Sequence, residues 1–473
     1  MSPDVLVIGG GVAGLVTAVD CASRGFSVLL VEQKPHLGGR TYSFLHRETG
    51  DEVDNGQHLM MGCYHSTLRY LRTINSSSTI SIQENLSITF RGEGGKKHEL
   101  RTAPLVQPFN ALVGMLRLQS LSLKNRIALL RFGVPLLFAN PDTDTRLQSL
   151  TVTEWLDELH QPEDNKKYLW NIIAIGTLND APEKISAALF LKVLQSVFLG
   201  PRSNSVMVIP HRGLSAVLVD NAAEYIEHHG GKILLNTSVQ SMSNEQLTVN
   251  NVVLSSGEVL QPNTVVCAVP YFDISKLFDE TMLRLIPELH TTEQFVSSPI
   301  VTVHLWFDTH FMEEEFAALL DSPIHWVFNH VAPRRHDVED IAEGGSVKRH
   351  KTKMSGKKES ALMFLSLVIS GAAEFVEKSK DEILAMAVNE VHRYFPKSAV
   401  AHLVHSLVIK EKRATFSPRV GLEHHRPSHT TSFNNLFLAG DWTDTKLPAT
   451  IEGAAQSGYA CGELVEKRLK IHK

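Results

Sequence analysis

Short runs of mainly apolar residues punctuate the chain: Val5–Ile8, Val28–Val31, Thr264–Val269 and Leu436–Ala439. Runs without regular polar interruptions suit strands covered on both faces, as in a parallel sheet. The first run leads into Gly9-Gly10-Gly11. Val12 to Arg24 is then rich in Ala, Leu and Val and predicts a helix, ended by Gly25. The second run closes with Glu32, completing a compact βαβ unit. Further on, the pattern predicts a helix over Gly213–His229 and a strand pair around Lys232–Met242 and Leu247–Leu254. It also predicts a strand over Pro299–Phe307 and a last helix over Glu452–Lys470.

The segments between differ in character. Thr151–Leu199 reads as helical. Pro104–Pro141 is apolar and basic, carrying Arg117, Lys124, Arg126 and Arg131 and no acidic residue before Pro141. Its aliphatic residues (Leu112, Val113, Leu116, Ile127, Leu129, Leu130, Leu136 and Leu137) give apolar faces. Such a stretch suits either a bilayer surface with anionic headgroups or an ordinary buried helical pair. His330–Ser360 is polar, with a basic cluster at Lys348, Arg349, Lys351 and Lys353, and predicts a mobile surface loop. No internal repeat is visible. At about 100–200 residues per domain the length allows about two to four units, and the order of elements suggests two domains woven from non-contiguous segments.

Charge and cysteine content narrow the classes. A net charge of −5 over 473 residues argues against a general nucleic-acid binder. Cys21, Cys63, Cys267 and Cys461 lie far apart and form no CxxC pair, which argues against a disulfide framework or zinc site and fits a reducing, cytoplasmic setting. The histidines, including His424-His425, lack metal-ligand spacing, so no metal is expected. No signal peptide and no apolar run of about 20 residues is seen.

Gly9, Gly11 and Gly14 form GxGxxG between a strand and a helix, beginning the helix at Val12 and Ala13. The first glycine allows the tight turn, the second a close approach to a pyrophosphate, the third close helix–strand packing. The helix start offers free N–H groups to phosphates. Glu32 at the end of the second strand suits both ribose hydroxyls, favouring FAD or NAD over NADP.

Gly38-Gly39-Arg40-Thr41-Tyr42-Ser43 follows, and the chain ends with Leu438-Ala439-Gly440-Asp441-Trp442 and Ala449-Thr450-Ile451-Glu452-Gly453-Ala454. These stretches resemble the amine oxidase and phytoene desaturase superfamily of flavoproteins. The resemblance implies an α/β fold: a glutathione-reductase-like FAD-binding Rossmann domain interwoven with a mixed α+β substrate domain and a helical, membrane-facing part. It assigns residues 1–100, 207–290 and 410–473 to the FAD domain, and 101–206 and 291–409 to the substrate domain. It implies FAD held by Gly9, Gly11, Val12, Ala13, Gly14, Glu32, Gly38, Gly39, Arg40, Gly56, Gln57, Val239, Gly440, Asp441, Thr450 and Ile451. Val239 comes from Asn236-Thr237-Ser238-Val239, which resembles the strand whose backbone meets adenine.

Within the superfamily, Val53-Asp54-Asn55-Gly56-Gln57-His58 and Glu411-Lys412-Arg413-Ala414-Thr415-Phe416 resemble the hydroxysqualene dehydroxylases. Ser298–Asp308 is similar both to these and to plant-type phytoene desaturases. The resemblance implies a C30 isoprenoid substrate delivered from a bilayer, an electron donor that regenerates reduced flavin, and a peripheral membrane location. An acid must help the hydroxyl leave, and His58 and Asp54 stand where the chain passes the flavin. Carotenoid desaturation remains open, as does lipid carriage of the kind Rab GDP-dissociation inhibitors perform on this fold. Amine oxidases place an aromatic residue where Thr450 stands, so a cationic amine would lose its aromatic face here.

Overall fold

The computed structural model describes residues 2–330 and 362–471. The stretch expected as a basic loop lies outside these residues, apart from His330. Among the described residues, five parallel strands form one sheet in the order Lys232–Leu234, Val28–Val31, Val5–Ile8, Thr264–Cys267, Leu436–Leu438. Both faces are covered, which is why these strands read as unbroken apolar runs. Val5, Val7, Val28 and Leu30 pack with the first helix, Val12–Ser23, and the last, Ile451–Ile471. Leu6, Ile8, Leu29 and Val31 face a small antiparallel sheet built from Val239–Glu245, Thr248–Leu254 and Val259–Leu260.

The first and last helices touch through glycines. A Cβ on Gly458 would lie 2.6 Å from the Ala13 carbonyl oxygen, and one on Gly462 would lie 2.2 Å from an Asp20 carboxylate oxygen. Thr17 donates from Oγ1 to the Gly458 carbonyl at 3.2 Å. This contact brings the last helix alongside the first.

A second sheet has seven strands among the described residues, in the order Leu403–Phe416, Ser297–Phe307, Met363–Ile369, Trp326–Asn329, Phe316–Leu319, Ser87–Arg91, Lys97–Arg101. One face packs on the helix Lys380–Tyr394 through Val301, Val303, Leu305 and Phe307. Part of the other face, through Ile88, Phe90, Leu100, Phe328 and Val368, looks onto helices drawn from residues 109–198. The expected boundary at 100 falls at the end of a strand of this sheet, and the one at 410 falls inside another.

Two expected elements differ. The helix over Gly213–His229 is broken into Leu214–Leu218 and Asp220–His228, because Val219 leaves the helical region at φ −121°, ψ −55°. The strand over Lys232–Met242 is split. Lys232–Leu234 joins the parallel sheet, Asn236 turns the chain at φ 50°, and Val239–Glu245 pairs with Thr248–Leu254. Asn tolerates that left-handed conformation better than most residues, so one strand becomes two.

Candidate functional site

Strand order reverses around Val5–Ile8, whose successor Val28–Val31 lies on one side and Thr264–Cys267 on the other. Ligands of open parallel sheets bind at the carboxyl ends beside such a point. There the chain is tightly packed: a Cβ on Gly9 (φ +106°) would lie 2.8 Å from the Ala268 carbonyl oxygen. A Cβ on Gly14 would lie 1.9 Å from the Gly9 carbonyl oxygen. The first helix therefore starts hard against the strand end. No side chain caps its N-terminus at Gly11, leaving N–H groups for an anion.

The second glycine turn closes on the first. Gly38 donates to the Gly10 carbonyl at 2.8 Å, and a Cβ on Gly39 would lie 3.1 Å from Gly11 Cα. Glu32 is held at the end of the second strand: its Oε2 accepts from the Gly10 N–H at 2.7 Å and its Oε1 from the Lys34 N–H at 2.8 Å. Opposite, Arg40 pairs with Asp441 at 2.7 Å and donates to the Ala414 carbonyl at 2.9 Å. Gly440 donates to Ser457 at 2.6 Å, tying the last strand to the last helix. Thr450 caps that helix, its Oγ1 accepting from the Gly453 N–H at 3.1 Å.

A cavity of about 1500 Å³ runs through this cradle and beyond it. Of the residues expected to meet cofactor or substrate, Gly14 and Asp54 do not line it and the others do. Gly14 serves the helix–strand packing expected of the third glycine, without meeting the cavity. The Asp54 carboxylate accepts from Ser43 Oγ at 2.7 Å and from the Leu214 N–H at 2.8 Å, joining the short strand pair to a helix start. Asp54→Ala should cost about 1–3 kcal/mol of stability by stranding these donors. A thermal melt beside the parent protein checks this, and an unchanged midpoint would contradict it.

His58 lines the cavity. Burial lowers its pKa below the usual 6.5; Asp54 opposes that shift and Arg40 adds to it. The imidazole is therefore mostly neutral at pH 7 and gains its proton as pH falls. Beyond it, Leu59, Met61 and Cys63 already pack with the core of the helical part. From here the walls become apolar: Ile88, Phe90, Leu100, Ile300, Phe328 and Val368 from the sheet, Ile172, Val193, Leu194 and Phe198 from the helices.

Three features were not anticipated. Burial pushes the Tyr64 hydroxyl pKa up, with the Thr450 side chain opposing the shift, so it keeps its proton through neutral pH. Glu452 caps the helix His65–Thr73, accepting from the Ser66 and Thr67 N–H groups, each at 2.8 Å. That bond fixes Tyr64 against the start of the last helix. Arg426 lies beneath the loop before that helix. Tyr64 and Glu452 fall beside recognisable motifs, whereas Arg426 is a single basic residue before a proline and carries no pattern.

Comparison with known proteins places this geometry. The family model for flavin containing amine oxidoreductases matches residues 12–465. The chain is 26% identical over 470 residues to a hydroxysqualene dehydroxylase of Rhodopseudomonas palustris, covering 98% of this chain and 99% of that protein. It is also 26% identical over 482 residues to a 15-cis-phytoene desaturase of Narcissus pseudonarcissus, covering 98% and 79%. Among solved structures, an oxidoreductase from Methanosarcina mazei superposes with a TM-score of 0.72 at 15% identity, covering 97% and 99%. Cyclohexylamine oxidase from Brevibacterium oxydans does so with 0.68 at 16%, covering 99% and 100%. These structures share the fold expected from the glycine motifs. A flavin family whose cradle is built for a dinucleotide uses FAD, and the glycine turns, open helix start and Glu32 fit it. The chain belongs to the flavin-containing amine oxidoreductase family.

Proposed function

We propose that this flavin oxidoreductase converts hydroxysqualene to squalene. The observation that carries the reading is the apolar arm that leads away from the flavin cradle, with His58 at the junction. The walls named for this arm are apolar, which suits a long hydrocarbon better than a charged amine. The dehydroxylase-like wording of residues 53–58 and 411–416 supports an alcohol substrate. FAD, held in the glycine cradle in its reduced form, would supply the hydride for the carbon that loses oxygen. His58 gives a proton to the departing hydroxyl, which leaves as water, so charge and atoms balance. The apolar walls keep water from the reacting carbon. Asp54 holds the strand that leads into the loop carrying His58 rather than donating itself. Squalene formed by the reduced protein tests the reading; hydride removal from phytoene by the oxidised protein would favour the desaturase alternative.

The substrate enters from a bilayer. Nine of the twenty exposed large apolar side chains among the described residues fall between Leu105 and Phe138, including Val106 at 73% and Phe138 at 79% exposure. Leu129, expected on that face, is buried beneath it, while Ile127, Leu130 and Leu137 are exposed. Met115 of the helix Phe109–Leu116 also lines the cavity, so the apolar arm ends under this surface. No helix among the described residues is long and apolar enough to cross a membrane. Docking on one leaflet, with Lys124 and Arg131 toward anionic headgroups, meets the need. Phe138→Glu should weaken liposome binding about 10- to 100-fold, the loss of one buried aromatic ring. Flotation measures it; a parent protein that stays at the bottom of the gradient would refute the docking.

A further inference from the structure

We infer that Arg426 is a positioning residue for FAD, a guanidinium plug that preforms the loop between the last strand and the last helix. The inference rests on the FAD assignment and not on the substrate proposed above.

The loop runs from Gly440 to Thr450, and Gly440, Asp441, Leu447, Pro448 and Thr450 line the cavity. It has no regular secondary structure, so its carbonyls need partners elsewhere. Arg426 supplies them. Its Nη2 donates to the Asp441 carbonyl at 2.8 Å, the Thr443 carbonyl at 2.6 Å and Thr445 Oγ1 at 2.8 Å. Its Nη1 donates to the Leu447 carbonyl at 2.6 Å and reaches the Glu423 carboxylate at 3.1 Å. The side chain is fully buried. One rigid fork thus fixes alternate residues of the loop from 441 to 447.

The same group reaches the other wall of the cradle. Its guanidinium lies 5.3 Å from the centre of the Phe416 ring, at the end of the strand Leu403–Phe416. Two residues earlier, the Ala414 carbonyl accepts from Arg40, and Arg40 in turn holds Asp441. Arg426 therefore sits behind the place where strand end and loop meet around Asp441. It does not line the cavity. Its effect on FAD passes through the backbone it holds. A carbonyl cage of this shape needs the planar fork; an ammonium is a point donor and cannot span it.

The test compares Arg426→Lys and Glu423→Gln with the parent, all prepared as apoprotein. FAD affinity is measured by quenching of flavin fluorescence, and backbone hydrogen exchange is followed in the apoproteins. Arg426→Lys should bind FAD about a hundredfold more weakly. Its exchange should quicken over residues 441–450 while the parallel sheet stays protected. Glu423→Gln should bind FAD as the parent does, because the carbonyl fork remains. Unchanged affinity in Arg426→Lys would overturn the inference. So would exchange that quickens across the parallel sheet as well, since Arg426 would then serve the fold at large. Either result leaves the hydroxysqualene assay untouched.

Discussion

Gly39→Val should yield a folded, colourless protein. Gly39 has φ +61°, a region a β-branched residue enters only under strain, about 1–2 kcal/mol by the cost of left-handed backbone. A Cβ there would also press within 3.1 Å of Gly11 Cα. Gly11 begins the helix whose free N–H groups would face the pyrophosphate. Separating the two glycine turns by even a few tenths of an ångström misaligns them, because the Gly38 to Gly10 hydrogen bond joins the same turns. Losing about 3–4 kcal/mol of binding would weaken FAD by about 10²- to 10³-fold. Neither turn belongs to the hydrophobic core, so far-UV circular dichroism should keep its parent shape. Purification with a full complement of FAD would contradict the account of the cradle.

The second large effect is expected at His58. His58→Gln should bind FAD normally and lose turnover by about 10²- to 10⁴-fold, the usual contribution of a general acid. The pH profile distinguishes this from a packing defect. Burial lowers the His58 pKa below 6.5, so the imidazolium that donates the proton is populated toward acid pH. Parent turnover should fall as pH rises through that lowered pKa. The glutamine variant should lack this limb. Tyr64, whose pKa is pushed up, keeps its proton across the same range and cannot supply the limb. Equal rates in parent and variant would remove His58 from the mechanism.

The parallel sheet and the cradle were legible because their signals are local. Val5–Ile8, the three glycines and Glu32 all lie within 28 residues. The apolar runs read as buried strands because both faces are covered. The seven-stranded sheet was not legible as a whole. Ser87–Arg91 pairs with Phe316–Leu319, far away in sequence, and nothing in either strand names its partner. Strand ends turned on single residues: Asn236 at φ 50° divided one expected strand into two. Asp54 and His58 looked alike as candidate acids because they are neighbours on the chain. Their side chains diverge, one toward Ser43 and Leu214, the other onto the cavity. Arg426 was invisible for a related reason: its four partners in the loop are carbonyls and a hydroxyl, which any sequence supplies.

On this reading the apolar arm receives an isoprenoid alcohol and the chemistry is reductive. The most direct measurement is anaerobic: photoreduced, FAD-loaded protein is mixed with hydroxysqualene in detergent, with flavin absorbance followed and the product identified by mass spectrometry. One flavin should be reoxidised for each squalene formed. Flavin that stays reduced, with hydroxysqualene recovered intact, would contradict that reading.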